Sequence, residues 1–584
     1  MTNAKIVFSK IVHCNRSKLI RPSAALILTT LMVIAAATTV ATAQTYTTLV
    51  NFDGYNGAAP FVMTLVQGAD GNLYGTANTG GANLGAGTVF KVTPGGVLAT
   101  LYNFCAAPDC TDGERPFAGL VLATDGSFYG TTAGGGTGSG YGLCGTVFRI
   151  TPAGTLTTLY SFCSQANCTD GEWPWAALIQ ATDGNLYGTT DLGGSRGVNG
   201  DGTVFKITPK GTLTTLYDFD SSNGIVGADP LAAVVQGRDG NFYITTASGG
   251  ASGLGTVFKI SPSGTATTLH SFNGTDGASP YSGLIQATDG NFYGTTWENG
   301  DSASCAYGCG TIFRITPEGK LTTLHSFDGA DGANPYAGLI QASDGNFYGT
   351  TTFGANSICT NGDLQGCGTA FKMSPEGVLT TLHSFDGTDG ANPWGGLVQA
   401  TNGTFYGTTT LGGTSIGGTV FSLDMGLGPF VSLLPTTRRV GQDVGILGQG
   451  LSGTTAVSFN GTPATFAAVS DTYLKAAVPS GAATGFVMVT TSSGTLTSNK
   501  PFRVTPVILS FSPTSGPVGT PVVITGTGLT QTTKVAFCGV PASSFTVDSD
   551  TQVTATVPAG AHDHIAITTA GGKVWSPGTF TLTP

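Results

Sequence analysis

The sequence predicts an all-β protein: a seven-bladed β-propeller of four-stranded blades closed by its N-terminal strand, followed by two immunoglobulin-like β-sandwich domains. Three observations lead there. A motif close to Asp-Gly-Asn-Phe-Tyr-Gly-Thr-Thr recurs seven times, starting at Asp70, Asp125, Asp183, Asp239, Asp289, Asp344 and Asn402, at intervals of 50 to 58 residues. Each period holds four short β-forming segments and no long stretch with apolar residues at helical spacing. The segment that ends a period also stands alone before the first one, at Thr47–Phe52.

In the sixth period the four segments are Ala337–Gln341, Asn346–Thr351, Gly368–Met373 and Thr380–Phe385. Asp-Gly and Pro-Glu-Gly turns punctuate them, and four antiparallel strands per repeat make a propeller blade. The fourth segment recurs from Ala99, Thr157, Thr214, Thr267, Thr322 and Thr380, but the seventh period leaves the pattern after Gly418–Phe421. The displaced N-terminal segment is therefore expected to complete the last blade, which removes a free sheet edge.

The Asp-Gly-x-x-Tyr-Gly-Thr-Thr and Gly-Thr-Val-Phe elements resemble the GloVer-type (Gloeo/Verruco) tandem repeat of bacterial exported proteins, over residues 45 to 424. That resemblance implies a fold and an exported location, not a reaction. With residues 44–426 as the propeller, the period stops and a new duplication begins. Residues 427–504 carry Val440-Gly441, Val457-Ser-Phe-Asn-Gly461 and Val478-Pro479; residues 505–584 carry Val518-Gly519, Val535-Ala-Phe-Cys-Gly539 and Val557-Pro558. Both resemble IPT/TIG domains, the second more closely, which implies spacers or binding modules.

Residues 1–43 read as a signal peptide. Lys5, Lys10, Arg16, Lys18 and Arg21 precede an apolar stretch from Ala24 to Ala37, and Ala41-Thr-Ala43 offers a small-residue cleavage site. No second long apolar segment follows, so the mature chain is expected to lack a membrane span and to work in the periplasm or outside the cell. A net charge of −10 argues against nucleic acid as a partner. Eight cysteines fall in close pairs, Cys105 with Cys110, Cys163 with Cys168, Cys305 with Cys309 and Cys359 with Cys367. In an oxidising compartment these are disulfide candidates, with a zinc site as the rival; Cys144 and Cys538 have no evident partner.

Chain direction sorts the loops. Connections between the second and third strands, and from one blade to the next, share a face with long, unequal loops and all eight paired cysteines. The opposite face has short uniform turns. Variable loops on a rigid scaffold are where binding resides. On that face the repeat is broken by Glu114-Arg115, Glu172-Trp173-Pro-Trp175, Trp297-Glu298 and Trp394. Indole rings stack on sugars and carboxylates accept from their hydroxyls, so Arg115, Trp173, Trp175, Trp297 and Trp394 are ligand-binding candidates. The alternative is that these rings pack between blades or seal the top of the ring.

Glu114, Glu172 and Glu298 are the only carboxylates the sequence nominates for glycoside hydrolysis, which needs two facing each other roughly 5 to 10 Å apart. No nucleophile elbow, zinc-protease or phosphate-loop motif occurs. His270, His325 and His383 share a repeat position with Tyr102, Tyr160, Tyr217 and Val50, which reads as packing rather than catalysis. The loops Asp328–Gly332 and Asp386–Gly390 could offer oxygens to Ca²⁺, but ordinary Asx-turns account for them, and no cofactor is expected. The leading reading is a non-enzymatic exported protein that binds a glycan or cell-surface protein through its loop face. A polysaccharide-degrading enzyme and a structural surface component are the alternatives; oligomeric state is not legible.

Overall fold

The structure, a computed structural model, describes residues 44–138, 144–198, 200–220, 227–300, 305, 308–355, 359–361 and 364–584. The leader read in residues 1–43 lies outside them. The described residues contain no α-helix. Residues 45–424 form seven four-stranded antiparallel sheets, each a propeller-like blade. Six of them are continuous in sequence. The seventh combines Val398–Gln399, Phe405–Thr409 and Thr419–Asp424 with the N-terminal strand Thr45–Asn51, which pairs antiparallel with Thr419–Asp424.

The repeat motif builds each blade from inside out. Its Asp is an Asx-turn residue: in the third sheet, Asp183 Oδ1 accepts from Asn185 N at 3.0 Å, and its Oδ2 accepts from the Tyr187 hydroxyl at 2.8 Å. The second strand of each sheet is wholly buried because it is packed on both faces. Its glycine is required there: a Cβ on Gly188 would lie 2.7 Å from both Leu178 Cδ2 and Phe205 Cζ. The fourth sheet carries Ile244 at this place, and compensates with Val234 where the third and fifth have Leu178 and Leu284.

Successive sheets are joined by the same few contacts. In five cases the repeat tyrosine stacks on a phenylalanine of the next sheet, as Tyr187 does on Phe242 at 4.2 Å and Tyr243 on Phe292 at 4.0 Å. A glutamine on the first strand accepts from the previous sheet's turn, as Gln180 does from Thr124 N at 2.9 Å. The same bond links the seventh sheet to the first, Thr401 N to Gln67 Oε1 at 2.9 Å. A cavity of 250 Å³ is lined by residues from all seven sheets.

The inner strand is shorter than its sequence suggests. In the sixth sheet only Ile340–Gln341 is strand, not Ala337–Gln341. Residues 337–339 lie where neighbouring backbones converge: the Ala337 carbonyl accepts from Thr295 Oγ1 of the preceding sheet at 3.2 Å, and a Cβ on Gly338 would sit 2.9 Å from the Gly283 carbonyl oxygen. Polar groups there are satisfied sideways rather than along a ladder.

Residues 432–504 form two four-stranded sheets and a two-stranded parallel pair, and residues 507–582 form two sheets. Each encloses one apolar core, with Val444, Ile446, Val457 and Phe459 in the first and Val522, Ile524, Val535 and Phe537 in the second. The first sandwich rests on the face with the short turns. Thr472 Oγ1 donates to the Ala69 carbonyl at 2.7 Å, Gln449 Nε2 to Thr401 Oγ1 at 3.1 Å, and Arg503 Nη2 to the Arg238 carbonyl at 2.7 Å. Leu434, Leu447 and Tyr473 join the apolar cluster around Tyr74 and Phe128. The two sandwiches are tied by Gln531, which accepts from Thr484 N at 2.8 Å and donates to its carbonyl at 3.2 Å.

Candidate functional site

Each period contains a proline just before its inner strand, and the next residue points to the loop-face mouth of the central cavity. These residues are Phe61, Phe117, Trp175, Leu231, Tyr281, Tyr336 and Trp394. Six are aromatic, and they touch in sequence. Trp394 stacks on Phe61 at 4.7 Å, Phe61 meets Phe117 edge-on at 5.6 Å, and Phe117 stacks on Trp175 at 4.1 Å. Tyr281 stacks on Tyr336 at 5.0 Å, and Tyr336 contacts Trp394 at 4.7 Å. The collar is interrupted at one place, between Trp175 and Tyr281, where Leu231 stands. Trp175, Leu231, Tyr281, Tyr336 and Trp394 also line the cavity beneath.

Trp173 and Trp297 flank the collar. Trp173 lies edge-on to Trp175 at 5.2 Å, and Trp297 stacks on Trp394 at 5.4 Å while also touching Tyr281 and Tyr336. Four of the five tryptophans therefore gather here, from three different sheets. The buried indole Nε1 of Trp175 lies near the Tyr336 hydroxyl. Arg115 and Trp173 occupy the position before proline with φ of +55° and +59°, and Asp229 matches them at +56°. Left-handed backbone favours Asn or Gly, and Asn334 and Asn392 fill this place elsewhere; a bulky side chain there marks strain retained at a site. Arg115 is exposed.

Carboxylates collect beside the interruption. Asp191, on the loop after the third sheet's second strand, is pushed up to about 7 by burial, then by the charges of Asp229 and Glu172. Burial also raises Glu172 and Glu298. Burial followed by the Glu298, Asp229 and Asp191 charges raises the Tyr281 phenol. Asp229 is held by the Ser248 hydroxyl at 2.6 Å, and Asp191 N bonds the Trp173 carbonyl at 3.0 Å. The group that forms is thus Glu172, Asp191 and Asp229. Only Glu172 was nominated from sequence, and its Oε2 lies 3.8 Å from Cys163 Sγ, packed under the loop. Glu114 packs against Gly134 in the neighbouring sheet.

Residues 34–167, 108–307 and 231–463 match the Gloeobacter/Verrucomicrobia repeat, and together these matches span more than half of the sequence. The chain belongs to the Gloeobacter/Verrucomicrobia repeat family. Residues 506–583 match the IPT/TIG domain, whereas the first sandwich is not matched. No curated protein matches the chain. Among solved structures, a fungal alcohol oxidase in complex with copper is 12% identical, with 92% of this chain and 99% of that one covered and a TM-score of 0.38. The extracellular domain of a putative hybrid two-component system from B. thetaiotaomicron is 11% identical, with 78% and 57% covered and a TM-score of 0.41. A putative 6-phosphogluconolactonase from Bacteroides fragilis is 18% identical, with 58% and 88% covered and a TM-score of 0.37. At this level of likeness none of them carries chemistry over.

In this Gloeobacter/Verrucomicrobia repeat protein the remaining sequence candidates have structural roles. Cys105–Cys110, Cys163–Cys168, Cys305–Cys309 and Cys359–Cys367 are disulfides on the loop face. Cys144 and Cys538 stand outside them; the Cys144 thiol lies within 4.8 Å of both sulfurs of Cys163–Cys168. The histidines do more than pack, contrary to the sequence reading. His270, His325 and His383 bond Asp276, Asp331 and Asp389 at 2.8, 2.7 and 2.7 Å. Tyr102 and Tyr160 do the same to Asp112 and Asp170 at 2.7 Å, so at these five places the position clips the loop that follows the blade. In Asp328–Gly332, Asp328 Oδ1 accepts from Ala330 N and Asp331 N, as an Asx-turn does.

Proposed function

We propose that this repeat protein is an exported, non-enzymatic binding protein whose loop face recognises a carbohydrate. Its seven sheets form a closed seven-bladed propeller, and residues 427–504 are a second IPT/TIG-like domain. The observation that carries the reading is the interrupted collar. Flat rings from Trp175, Tyr281, Tyr336 and Trp394 line the cavity together with Leu231, where the aromatic series has its gap, and Asp191 and Asp229 lie close enough to act on the Tyr281 phenol. Sugars offer apolar ring faces to aromatic groups and hydroxyls to carboxylates, and this gap presents both. Four disulfides favour an extracellular or periplasmic setting. No helix among the described residues is long and apolar enough to cross a membrane. The sandwiches rest on the opposite, turn-rich face and so leave the loop face to the ligand.

Asp191 supports a second reading. A buried carboxyl pushed up to about 7 near two other carboxylates has the character of a general acid in glycoside hydrolysis. Retention on a panel of insoluble polysaccharides, followed by product analysis, separates the two. Binding without released oligosaccharide, lost in Trp394→Ala, supports the binding protein. Product release that depends on Asp191 supports the enzyme, and retention on none of the glycans removes both.

A further inference from the structure

A second site lies on the opposite face, independent of the collar. The turn of the fourth sheet at Arg238 and the strands Thr437–Arg438 and Arg503–Val504 enclose a cleft of 770 Å³, which the loop ending at Lys573 completes. A smaller cavity of 260 Å³ shares Arg438 and Arg503 with it. Five cationic residues line it, Arg238, Arg438, Arg439, Arg503 and Lys573, in a chain whose net charge is −10. The Arg238 guanidinium bonds the Ala287 and Thr288 carbonyls, and the Lys573 ammonium lies 4.0 Å over the Trp575 ring. Such a concentration is unexpected from composition, since only 23 lysines and arginines serve 584 residues.

These charges are poorly neutralised within the protein. The two carboxylates on the wall are committed to their own turns: Asp183 accepts from Asn185 and Tyr187, and Asp239 from Asn241, Tyr243 and Lys259. Arg503 is fixed by its Nη2, which donates to the Arg238 and Gly571 carbonyls at 2.7 and 3.1 Å, while its Nε is enclosed with no acceptor. The parallel pairing of Thr437–Arg438 with Arg503–Val504 sets Arg503 beside Thr437 and Arg438 beside Val504, and both arginines reach the cleft wall. The like-charged neighbour that acts on Arg503 is Arg238, and such a pair repels unless an anion lies between its members. Burial, and then the Arg238 charge, hold the Arg503 guanidinium below its usual range, against the opposing pull of Asp239.

We propose that this cleft binds an anionic polysaccharide through its carboxylate or sulfate groups. Guanidinium groups form paired hydrogen bonds with such oxyanions. The rest of the wall is hydroxyl and amide, from Thr182, Thr437, Thr505, Thr568, Gln236 and Gln442, which suits sugar hydroxyls. No aromatic side chain lines it, so it lacks the stacking platform of single-stranded nucleic-acid sites.

The test measures binding of the full chain to polygalacturonate, dextran sulfate, neutral dextran and single-stranded DNA, at low and high salt. The proposal expects binding to one or both anionic glycans, weakened about tenfold or more between 50 and 300 mM NaCl as charge screening predicts. Binding should fall at least about tenfold in Arg438→Gln/Arg439→Gln and, separately, in Lys573→Gln, with unchanged melting temperatures. Trp394→Ala should retain it. Preference for polygalacturonate assigns carboxylate, and for dextran sulfate, sulfate. Binding to neither, binding indifferent to all three substitutions, or equal binding to DNA would overturn it.

Discussion

Thr88 faces Ala77 across the second and third strands of the first sheet, and its buried hydroxyl has no partner. In the other six sheets this place holds two threonines whose hydroxyls lie 2.8 Å apart, as in Thr351 and Thr369. The first sheet thus lacks one internal bond that the repeat supplies everywhere else. Ala77→Thr should restore it and stabilise the protein by about 1 kcal/mol. Room is available, since Gly57 stands over the pair as Gly332 does over Thr351. Thr351→Val should do the opposite, costing about 1 to 2 kcal/mol by orphaning Thr369 N, while the Thr369 hydroxyl keeps the Asp331 carbonyl. Chemical denaturation of the two variants checks both signs.

The loop clip makes a second prediction. His325 and Tyr102 occupy equivalent positions and hold Asp331 and Asp112 at the same distance of 2.7 Å. His325→Tyr should therefore leave stability within about 0.5 kcal/mol, whereas His325→Ala should lower it by roughly 1 to 2 kcal/mol. Equal losses from both would show that the imidazole has a role the phenol cannot fill.

Asp191 gives a pH dependence. Its folded pKa is raised, to about 7, so between about pH 4 and pH 7 the folded state holds a proton that the unfolded state has released. The corresponding contribution favours folding at low pH and is lost as pH rises through about 7, with roughly 4 kcal/mol as its ceiling. Asp191→Asn should flatten the fall in stability across that window. A stability profile for Asp191→Asn that parallels the parent would remove this carboxyl as the cause.

The blades were legible because repetition exposes them. Asp-Gly-Asn turns, Gly188 under Phe205, and the stray Thr47–Phe52 segment each state a local requirement of the fold, and Thr45–Asn51 does pair with Thr419–Asp424. The collar was harder to see. Trp175 and Trp394 drew notice as departures from a tyrosine, yet they continue a position that is aromatic in six periods, and Leu231 is the departure that matters. Aligning the residue after each proline would have shown it. Asp191 and Asp229 carried no such signal. They come from different sheets, and the packing of the third sheet beside the fourth brings two ordinary-looking loops together. The basic cleft was equally hidden, since Arg238 and Arg503 are 265 residues apart.

The central claim is that the gap at Leu231 receives a carbohydrate. Titrating the full chain with a soluble form of whichever polysaccharide retains it, beside Leu231→Trp at matched melting temperature, tests this most directly. Completing the collar with a seventh aromatic ring should weaken binding by at least about tenfold, a loss of about 1.4 kcal/mol. Unchanged affinity in Leu231→Trp would contradict the account.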